Sequence, residues 1–255
     1  MNRTIVITGA SSGIGAATAK KFAINGDNLI LLARRIDKLE SIKKEISTLS
    51  NVKVLIDKVD VRNKKEVFNF FSNLTIDWQN IDILVNNAGL ALGLSPLHEG
   101  NIEDWEVMVH TNIMGLLYVS RAVLPGMVKR CKGHVINLGS IAGREVYANG
   151  NVYCATKHAV HALSEAMRID LLPFNIKVTN VAPGAVNTEF STVRFKGDRD
   201  LADQVYTGYT PLMANDVADA ILYAANLPDH VNVNDILVMP THQANATIFN
   251  KKNNT

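Results

Sequence analysis

Short runs of apolar residues alternate with longer amphipathic stretches along nearly the whole chain. The short runs are continuous rather than alternating, which is typical of parallel strands buried on both faces. They predict strands at 4–8, 28–33, 52–57, 83–85, 134–138, 177–181 and 236–239. The longer stretches repeat apolar residues at helical spacing and predict helices at 14–25, 37–49, 64–76, 102–130, 152–172 and 215–226.

This alternation of strands and helices predicts an α/β fold. Right-handed crossovers would assemble the strands into a single-domain, Rossmann-type doubly wound parallel sheet of about seven strands, with helices on both faces. No linker or internal repeat divides the chain, so we expect one domain over residues 1–249. Residues 188–208 show little periodicity and are expected to form a substrate loop, and residues 250–255 a polar tail.

Composition narrows the classes of protein without naming a reaction. The 255 residues carry 26 basic and 24 acidic side chains, a balance that argues against binding nucleic acid or a membrane surface by charge. No apolar run approaches the roughly 20 residues that cross a bilayer, and no signal peptide precedes the first strand. Cys131 and Cys154 cannot form a disulfide scaffold, so we expect a cytoplasmic protein. His158 and His161 lack further ligands nearby, so no metal site is expected.

The first predicted strand leads into a glycine-rich loop with the spacing G-x-x-x-G-x-G. Gly9 suits the tight turn, Gly13 lets the backbone approach a pyrophosphate, and Gly15 lets the next helix pack closely on the sheet. The helix then directs free N–H groups and its positive dipole end towards phosphates. The residues expected to contact a dinucleotide are Gly9, Ser11, Ser12, Gly13, Ile14 and Gly15. A tight strand-to-helix turn without a ligand is the alternative.

The end of the second predicted strand indicates which dinucleotide is bound. Arg34 and Arg35 stand where a carboxylate would bind the ribose 2′-hydroxyl of NAD. Guanidinium groups instead favour a 2′-phosphate through charge-assisted hydrogen bonds, so we predict NADP(H). The alternative is that both arginines are solvated residues before a helix that Asp37 caps, with Glu40 completing the cap.

Tyr153 and Lys157 lie one helical turn apart, so their side chains share a face. A phenol titrates near pH 10, and a neighbouring ammonium lowers that pKa towards the range of a useful general acid/base. By itself this spacing is common on helix surfaces. Its context adds weight, because Ser140 follows the strand at 134–138, where ligands of open α/β sheets bind. Asn112 is a further polar residue on a predicted buried helix face.

Over essentially its whole length, the sequence resembles the short-chain dehydrogenase/reductase family. The pieces that carry the resemblance are the 8–15 loop, Asp60-Val61, the segment 86–89, Asn112, Ser140, Tyr153 with Lys157, and Pro183-Gly184 followed by Thr188. The resemblance implies an oxidoreductase in which Tyr153 is the general acid/base, Ser140 holds the substrate oxygen and Lys157 tunes the phenol.

The same resemblance implies contacts along the cofactor. Asp60 and Val61 would hold the adenine, and Asn86 with Ala88 would border the adenine ribose. The contacts implied at the nicotinamide end are Pro183, Gly184, Val186 and Thr188. Lys157 would also bind the nicotinamide ribose, and Asn112 would position a water in a proton relay.

Segments 86–93, 121–127, 150–153 and 188–197 are similar to one branch of that family, the NADP-dependent 3-hydroxy acid dehydrogenases. This similarity implies small 3-hydroxy or 3-oxo acids as substrates, and relatives of this kind are usually homotetramers or homodimers. A carboxylate substrate needs a cation near Tyr153, for which Arg194 is the first candidate and Arg144 the second. The alternatives are a carbonyl or 3-oxoacyl reductase of other specificity and, less favoured, a non-catalytic NADPH-binding protein.

Overall fold

A computed structural model describes residues 2–251 of the chain. The strands are β1 (Thr4–Thr8), β2 (Asn28–Ala33), β3 (Val54–Lys58), β4 (Ile83–Asn86), β5 (Gly133–Leu138), β6 (Ile176–Pro183), β7 (Val186–Asn187), β8 (Leu212–Met213) and β9 (Asp235–Val238). The helices are α1 (Gly13–Ile24), α2 (Ile36–Leu49), α3 (Lys64–Ser72), α4 (Ile102–Val109), α5 (Leu116–Arg130), α6 (Asn151–Leu171), α7 (Glu189–Arg194), α8 (Arg199–Gln204) and α9 (Ala214–Ala225).

Seven of the strands form one parallel sheet in the order β3-β2-β1-β4-β5-β6-β9. The strand order reverses between β1 and β4, and a doubly wound sheet opens a crevice at its carboxyl edge at such a point. This architecture confirms the predicted fold class. All seven predicted strands are present, with boundaries that shift by a residue or two.

Neighbouring residues of each central strand pack into opposite layers because successive side chains of a strand point to opposite faces. Ile5 and Ile7 pack with apolar residues of α1, α2 and α9, whereas Val6 packs with those of α3, α5 and α6. These three strand residues are fully buried. The continuous apolar runs of the sequence therefore have the predicted cause, which is a sheet covered on both faces.

The long helix predicted at 102–130 is interrupted by a π-helical turn over His110–Gly115, which separates α4 from α5. By length and composition alone, the segment Ile102–Arg130 contains a stretch long and apolar enough to cross a membrane. Within the fold, however, Val119, Val123 and Met127 of this segment are buried in the layer against the sheet. Core helices of globular proteins pass the same composition test.

The segment at 188–208 is more regular than its sequence suggests, because it contains the two short helices α7 and α8. The two-stranded sheet of β7 and β8 joins the chain just before this segment to the chain just after it. At the carboxyl end, Asn250 donates its backbone N–H to the carbonyl of His242, so the first residue of the predicted polar tail is attached. Residues 252–255 of that tail lie outside the described residues.

Candidate functional site

Two adjoining clefts open at the carboxyl edge of the sheet, with cavity volumes of about 280 and 350 Å³. The first is lined by the glycine-rich loop and the ends of β2 and β3, and the second by the region around Tyr153. Residues common to both include Ile14, Asn87 and Thr188, so the clefts form one continuous groove. The groove lies where the fold places ligands.

The glycine-rich loop has the geometry of a phosphate-binding turn. Gly9 has a φ of +64°, and a Cβ there would lie 2.8 Å from the Cα of Ala88. Gly15 lies beneath the loop, where a Cβ would come within 2.5 Å of the Asn87 side chain. The Ser12 side chain does not cap α1, so the first-turn N–H groups of the helix are free to bind an anion. Ser11, Ser12, Gly13 and Ile14 line the groove.

Arg34 and Arg35 both line the groove but differ in their contacts. Arg35 donates to the Ser12 hydroxyl at 2.8 Å and forms an ion pair with Glu189 at 2.8 Å. Within residues 2–251, the Arg34 guanidinium has no hydrogen-bond or ion-pair partner. The alternative in which Asp37 caps α2 is wrong, because the helix begins at Ile36 with Arg35 at the N-cap position.

Asp60 and Val61 line the same part of the groove. The Asp60 carboxylate accepts from the Arg62 guanidinium, with Nε 3.0 Å from Oδ1. Burial by itself raises the pKa of Asp60, but the hydrogen bonds and charge of Arg62 outweigh burial and hold the pKa below its ordinary value. Asp60 is therefore a carboxylate whose position Arg62 defines, and Arg62 is a groove residue that the sequence did not reveal.

Within the segment 86–89, the side chain that faces the groove is that of Asn87. Asn86 is buried beneath it and donates to Ser120 Oγ at 3.0 Å and to Asn137 Oδ1 at 2.9 Å. Asn87 instead bonds to the carbonyls of Thr8 and Gly9, and both Asn87 and Ala88 line the groove. Ala88 thus lies in the wall of the groove, whereas Asn86 lies beneath it and supports its floor.

Asn112 lies in the π-helical turn and is almost fully buried. Its Oδ1 accepts from the N–H of Leu90 at 2.9 Å, and its Nδ2 donates to the Leu90 carbonyl at 2.8 Å and to Thr156 Oγ1 at 3.0 Å. These bonds join the turn to the loop after β4 and to α6. A π-helical turn inside a helix is often found at a functional site, and here it directs an amide inward.

Ser140, Tyr153 and Lys157 converge on the second cleft. Ser140 lies two residues after β5, and its hydroxyl accepts the N–H of Ala142, which fixes the turn that carries it. Lys157 donates to the Leu138 carbonyl at 2.8 Å, and its Nζ lies 6.0 Å from the centre of the Tyr153 ring. The predicted triad is therefore assembled by the end of one strand and the first two turns of α6.

Burial is the main influence on both titratable groups of this cluster. It raises the pKa of the Tyr153 phenol above its ordinary value, while the Ser140 hydroxyl and the Arg194 charge oppose that rise. Burial also lowers the pKa of Lys157 to about 8. Within the chain itself, the phenol is thus a protonated group at neutral pH, and Arg194 is the cation that acts on it most directly.

The remaining wall of the second cleft comes from the segments that follow β6 and β9. Pro183, Gly184, Val186 and Thr188 line this wall. Sequence reasoning missed Tyr147, Phe190, Tyr206, Gln243 and Phe249, which also line it. The position of 240–249 just after the last strand was an available signal, since the chain leaves every parallel strand at the edge that bears the groove.

The two candidate arginines have very different surroundings. Arg194 lines the second cleft, where its Nη1 donates to the Tyr147 hydroxyl at 2.9 Å and its Cζ lies 5.7 Å from the Tyr153 ring centre. Its Nη2 is buried and has no hydrogen-bond partner among residues 2–251. Arg144 lines neither cleft and forms an ion pair with Asp235. Only Arg194 is placed to meet a ligand beside Tyr153.

Comparison with known proteins agrees with this geometry. A family model for short chain dehydrogenases matches residues 3–198. The chain belongs to the short-chain dehydrogenase family. This membership confirms the expected family, and it makes the protein an oxidoreductase. Within residues 2–251, no group of three or more His, Cys, Asp or Glu side chains is arranged to hold a metal ion.

Several known proteins are similar to this chain over nearly its full length. The NADP-dependent 3-hydroxy acid dehydrogenase YdfG of Salmonella typhi is 46% identical over 243 residues, which cover 95% of this chain and 96% of that protein. Sulfoacetaldehyde reductase 2 of Chromohalobacter salexigens is 43% identical over 245 residues, 96% of each chain. A solved closed form of serine dehydrogenase complexed with NADP⁺ superposes with a TM-score of 0.92 at 43% identity, covering 98% of this chain and 99% of that one.

Proposed function

We propose that the protein transfers a hydride between NADP(H) and the 3-position of small 3-hydroxy or 3-oxo acids. The observation that carries this proposal is the buried, unpaired Nη2 of Arg194 in the cleft that also holds Tyr153. A buried donor without a partner is costly, and a substrate carboxylate would satisfy it. Relatives named as 3-hydroxy acid and serine dehydrogenases support the same substrate class.

The first cleft fits NADP(H). Free N–H groups at the start of α1 suit a pyrophosphate, and the positive charge of Arg34 in the same groove suits a 2′-phosphate. Asp60, Val61 and Ala88 would border the adenosine, and Pro183, Val186 and Thr188 the nicotinamide end. The cofactor supplies or accepts the hydride when bound. An NADP-dependent relative and a solved neighbour complexed with NADP⁺ agree with this cofactor.

The side chains of the second cleft would manage the proton. Ser140 would hold the substrate oxygen beside the Tyr153 hydroxyl, which donates a proton to a carbonyl oxygen or takes one from an alcohol. Because burial raises its pKa, Tyr153 keeps its proton at neutral pH and so has a proton to donate. For the reverse direction, the positive charge of Arg194 near the ring favours the phenolate. Asn112 would support a proton relay through Lys157 by fixing the backbone around Leu90.

Steady-state kinetics on a substrate panel test the proposal. Reduction of NADP⁺ is followed with L-serine, D-serine, L-allo-threonine and 3-hydroxypropionate, and with 1-propanol as an uncharged control. We expect kcat/KM for at least one acid to exceed that for propanol by 10- to 100-fold, which is roughly the value of one charge-assisted hydrogen bond. Equal values for the acids and the neutral alcohol would contradict the proposal.

Reduction of a small sulfonate aldehyde is a second candidate function. The sulfoacetaldehyde reductase relative favours it, and a sulfonate presents to Arg194 an oxyanion much like a carboxylate. NADPH oxidation with sulfoacetaldehyde, compared with malonic semialdehyde, separates the two substrates. A higher kcat/KM for the sulfonate would favour this second function over the first.

We also propose that the protein is a cytoplasmic homotetramer or homodimer. Helices α5 and α6 lie on the same face of the sheet, and α6 retains the exposed apolar side chain of Ile169. Homo-oligomers commonly cover such surfaces with a second copy of the chain. Neither Cys131 nor Cys154 is paired, which suits a reducing compartment.

A further inference from the structure

We infer that Glu189 is a positioning residue, because its contact with Arg35 holds helix α7 against the phosphate loop. Arg34 is then the arginine that receives the 2′-phosphate. The inference rests on the proposed function, because α7 carries Arg194, the residue proposed to bind the substrate carboxylate. It adds to that function by giving two adjacent arginines separate tasks.

The contacts of Arg35 define a tether between two distant segments. One nitrogen, Nη2, donates to Ser12 Oγ at 2.8 Å, to Ser11 Oγ at 3.3 Å and to Glu189 Oε2 at 2.8 Å. The serines belong to the phosphate loop, and Glu189 is the first residue of α7. The hydrogen bond from Arg35 is also the largest influence that lowers the pKa of Glu189, so the carboxylate is charged at neutral pH.

The helix that begins at Glu189 carries the groups nearest to the reacting centre. Thr188 caps the helix and approaches the phosphate loop, since a Cβ on Gly13 would lie 3.3 Å from the Thr188 side chain. Phe190 packs against Tyr153 with ring centres 5.5 Å apart, and Arg194 ends the helix. A movement of Glu189 would therefore displace both Phe190, in the wall of the substrate cleft, and Arg194, which is its cation.

Arg34 differs from Arg35 in its contacts. It lines the same groove and is exposed, and its charge helps to lower the pKa of the neighbouring Asp60. Because its guanidinium is unpaired within the described residues, it binds a phosphate without first breaking an internal ion pair. Arg35 would have to exchange Glu189 for that phosphate, at the cost of the tether.

Two assays separate the tasks of the arginines. The first compares binding of 2′,5′-ADP with binding of 5′-AMP by calorimetry, which measures recognition of the 2′-phosphate. The second measures KM for 3-hydroxypropionate at saturating NADP⁺. A half-exposed ion pair changes an equilibrium by roughly two- to fivefold, and a phosphate contact by about tenfold or more.

We expect Arg35→Ala and Glu189→Gln each to raise KM for the acid by about two- to fivefold while the preference for 2′,5′-ADP changes by less than about threefold. Arg34→Ala should reduce that preference by about tenfold or more. The double variant Arg35→Ala/Glu189→Gln should be no worse than either single variant, since both remove one tether. Asp219→Asn is the matched control, because it breaks the exposed pair of Lys21 and Asp219, 2.6 Å long, between α1 and α9.

The rate of amide hydrogen exchange tests the contact between Arg35 and Glu189 without any substrate. Amides of residues 189–195 should exchange about two- to fivefold faster in Glu189→Gln and in Arg35→Ala than in the unaltered protein, and Asp219→Asn should leave them unchanged. Unchanged exchange in both tether variants would overturn the inference. So would loss of 2′,5′-ADP preference in Arg35→Ala with no change in Arg34→Ala. If no hydroxy acid is turned over, the proposed function is wrong. Hydrogen exchange and nucleotide binding then still test whether Arg35 and Glu189 connect α7 to the phosphate loop.

Discussion

Arg194 and Arg144 carry the same charge, and at the scale of single residues their surroundings decide what that charge can do. Arg144 is neutralised by Asp235 outside the groove. Arg194 is held by Tyr147 and by the carbonyl of Gly93, with one nitrogen still unpaired. Burial of a partly satisfied guanidinium is expected where a ligand completes its hydrogen bonds.

Replacement of Arg194 tests its role in binding the substrate. Arg194→Ala should raise KM for 3-hydroxypropionate or L-serine by about 10- to 100-fold, because one or two charge-assisted hydrogen bonds are lost. The KM for an uncharged ketone should rise by much less. Arg144→Ala provides the matched control and should leave both values nearly unchanged. An equal rise for acid and ketone in Arg194→Ala would show that Arg194 only supports the fold of the cleft.

Tyr153→Phe tests the proton-transfer step. The ring and its packing against Phe190 remain, and only the hydroxyl is lost. We expect kcat to fall by about 10²- to 10⁴-fold, whereas the Kd for NADPH, measured by fluorescence, should change by less than about twofold. Residual activity above a tenth of the original would contradict the assignment of Tyr153 as the general acid/base.

The role of a residue could be predicted from the sequence where that role depends on local spacing. It could not be predicted where the role depends on partners that are distant in the sequence. Tyr153 and Lys157 share one helix face, so their proximity follows from the sequence. Arg35 and Glu189 are 154 positions apart, and nothing in the sequence pairs them. The same limit applies to Asn86, whose partners Ser120 and Asn137 come from other elements.

At the scale of elements, the π-helical turn over His110–Gly115 could not be read from the apolar pattern. The apolar residues on both sides of this turn each recur at helical spacing, so the pattern predicts one continuous helix. The buried Asn112 was the available signal, since a buried amide needs partners. The turn supplies them by directing Asn112 towards Leu90 and Thr156.

The pairing of β5 with β6 predicts an acid-sensitive contribution to stability. His134 is buried in β5 with Nε2 2.8 Å from Thr179 Oγ1 of β6. Burial, aided by the charges of Lys177 and Arg3, lowers its pKa to about 3. Because the unfolded chain binds this proton near pH 6.5, the stabilisation is complete above that pH and is lost as pH falls towards 3.

Urea unfolding of the unaltered protein and of His134→Gln measures this effect. Between pH 6.5 and about 4, the free energy of unfolding should fall more steeply in the unaltered protein, by up to about 1.4 kcal/mol per pH unit. Gln retains a polar side chain but does not titrate, so a constant offset between the two proteins is expected in addition. Parallel pH profiles would mean that His134 does not titrate on unfolding in this range.

At the scale of the whole molecule, the proposed assembly is open to direct measurement. Light scattering after gel filtration should give two or four times the chain mass of 27.9 kDa. Ile169→Glu, on the proposed α6 face, should lower that mass, because Ile169 is 73% exposed within a single chain and would be covered in the assembly. Ile24→Glu on α1, where Ile24 is 64% exposed, is the control. A mass of one chain for the unaltered protein would contradict the proposal.

The architecture as a whole followed from the sequence because alternating strands and helices leave few ways to build a parallel sheet. The family and its cofactor preference were also predictable, since the glycine-rich loop and the arginines after β2 are local signals. The cleft wall formed by Gln243 and Phe249 could not be predicted from the apolar pattern, because that segment has no periodicity. Its position depends on how it packs against other elements. Tertiary contacts thus determine which residues line most of the substrate side of the groove.

The small sheet of β7 and β8 has a consequence for how this protein can be altered. By pairing Val186–Asn187 with Leu212–Met213, it closes the intervening segment at its base. A loop whose ends are already joined gains or loses residues at little entropic cost to the rest of the chain. Residues 188–211 can therefore change in length at little cost to the large sheet, provided that the contact of Glu189 with Arg35 at the phosphate loop is kept.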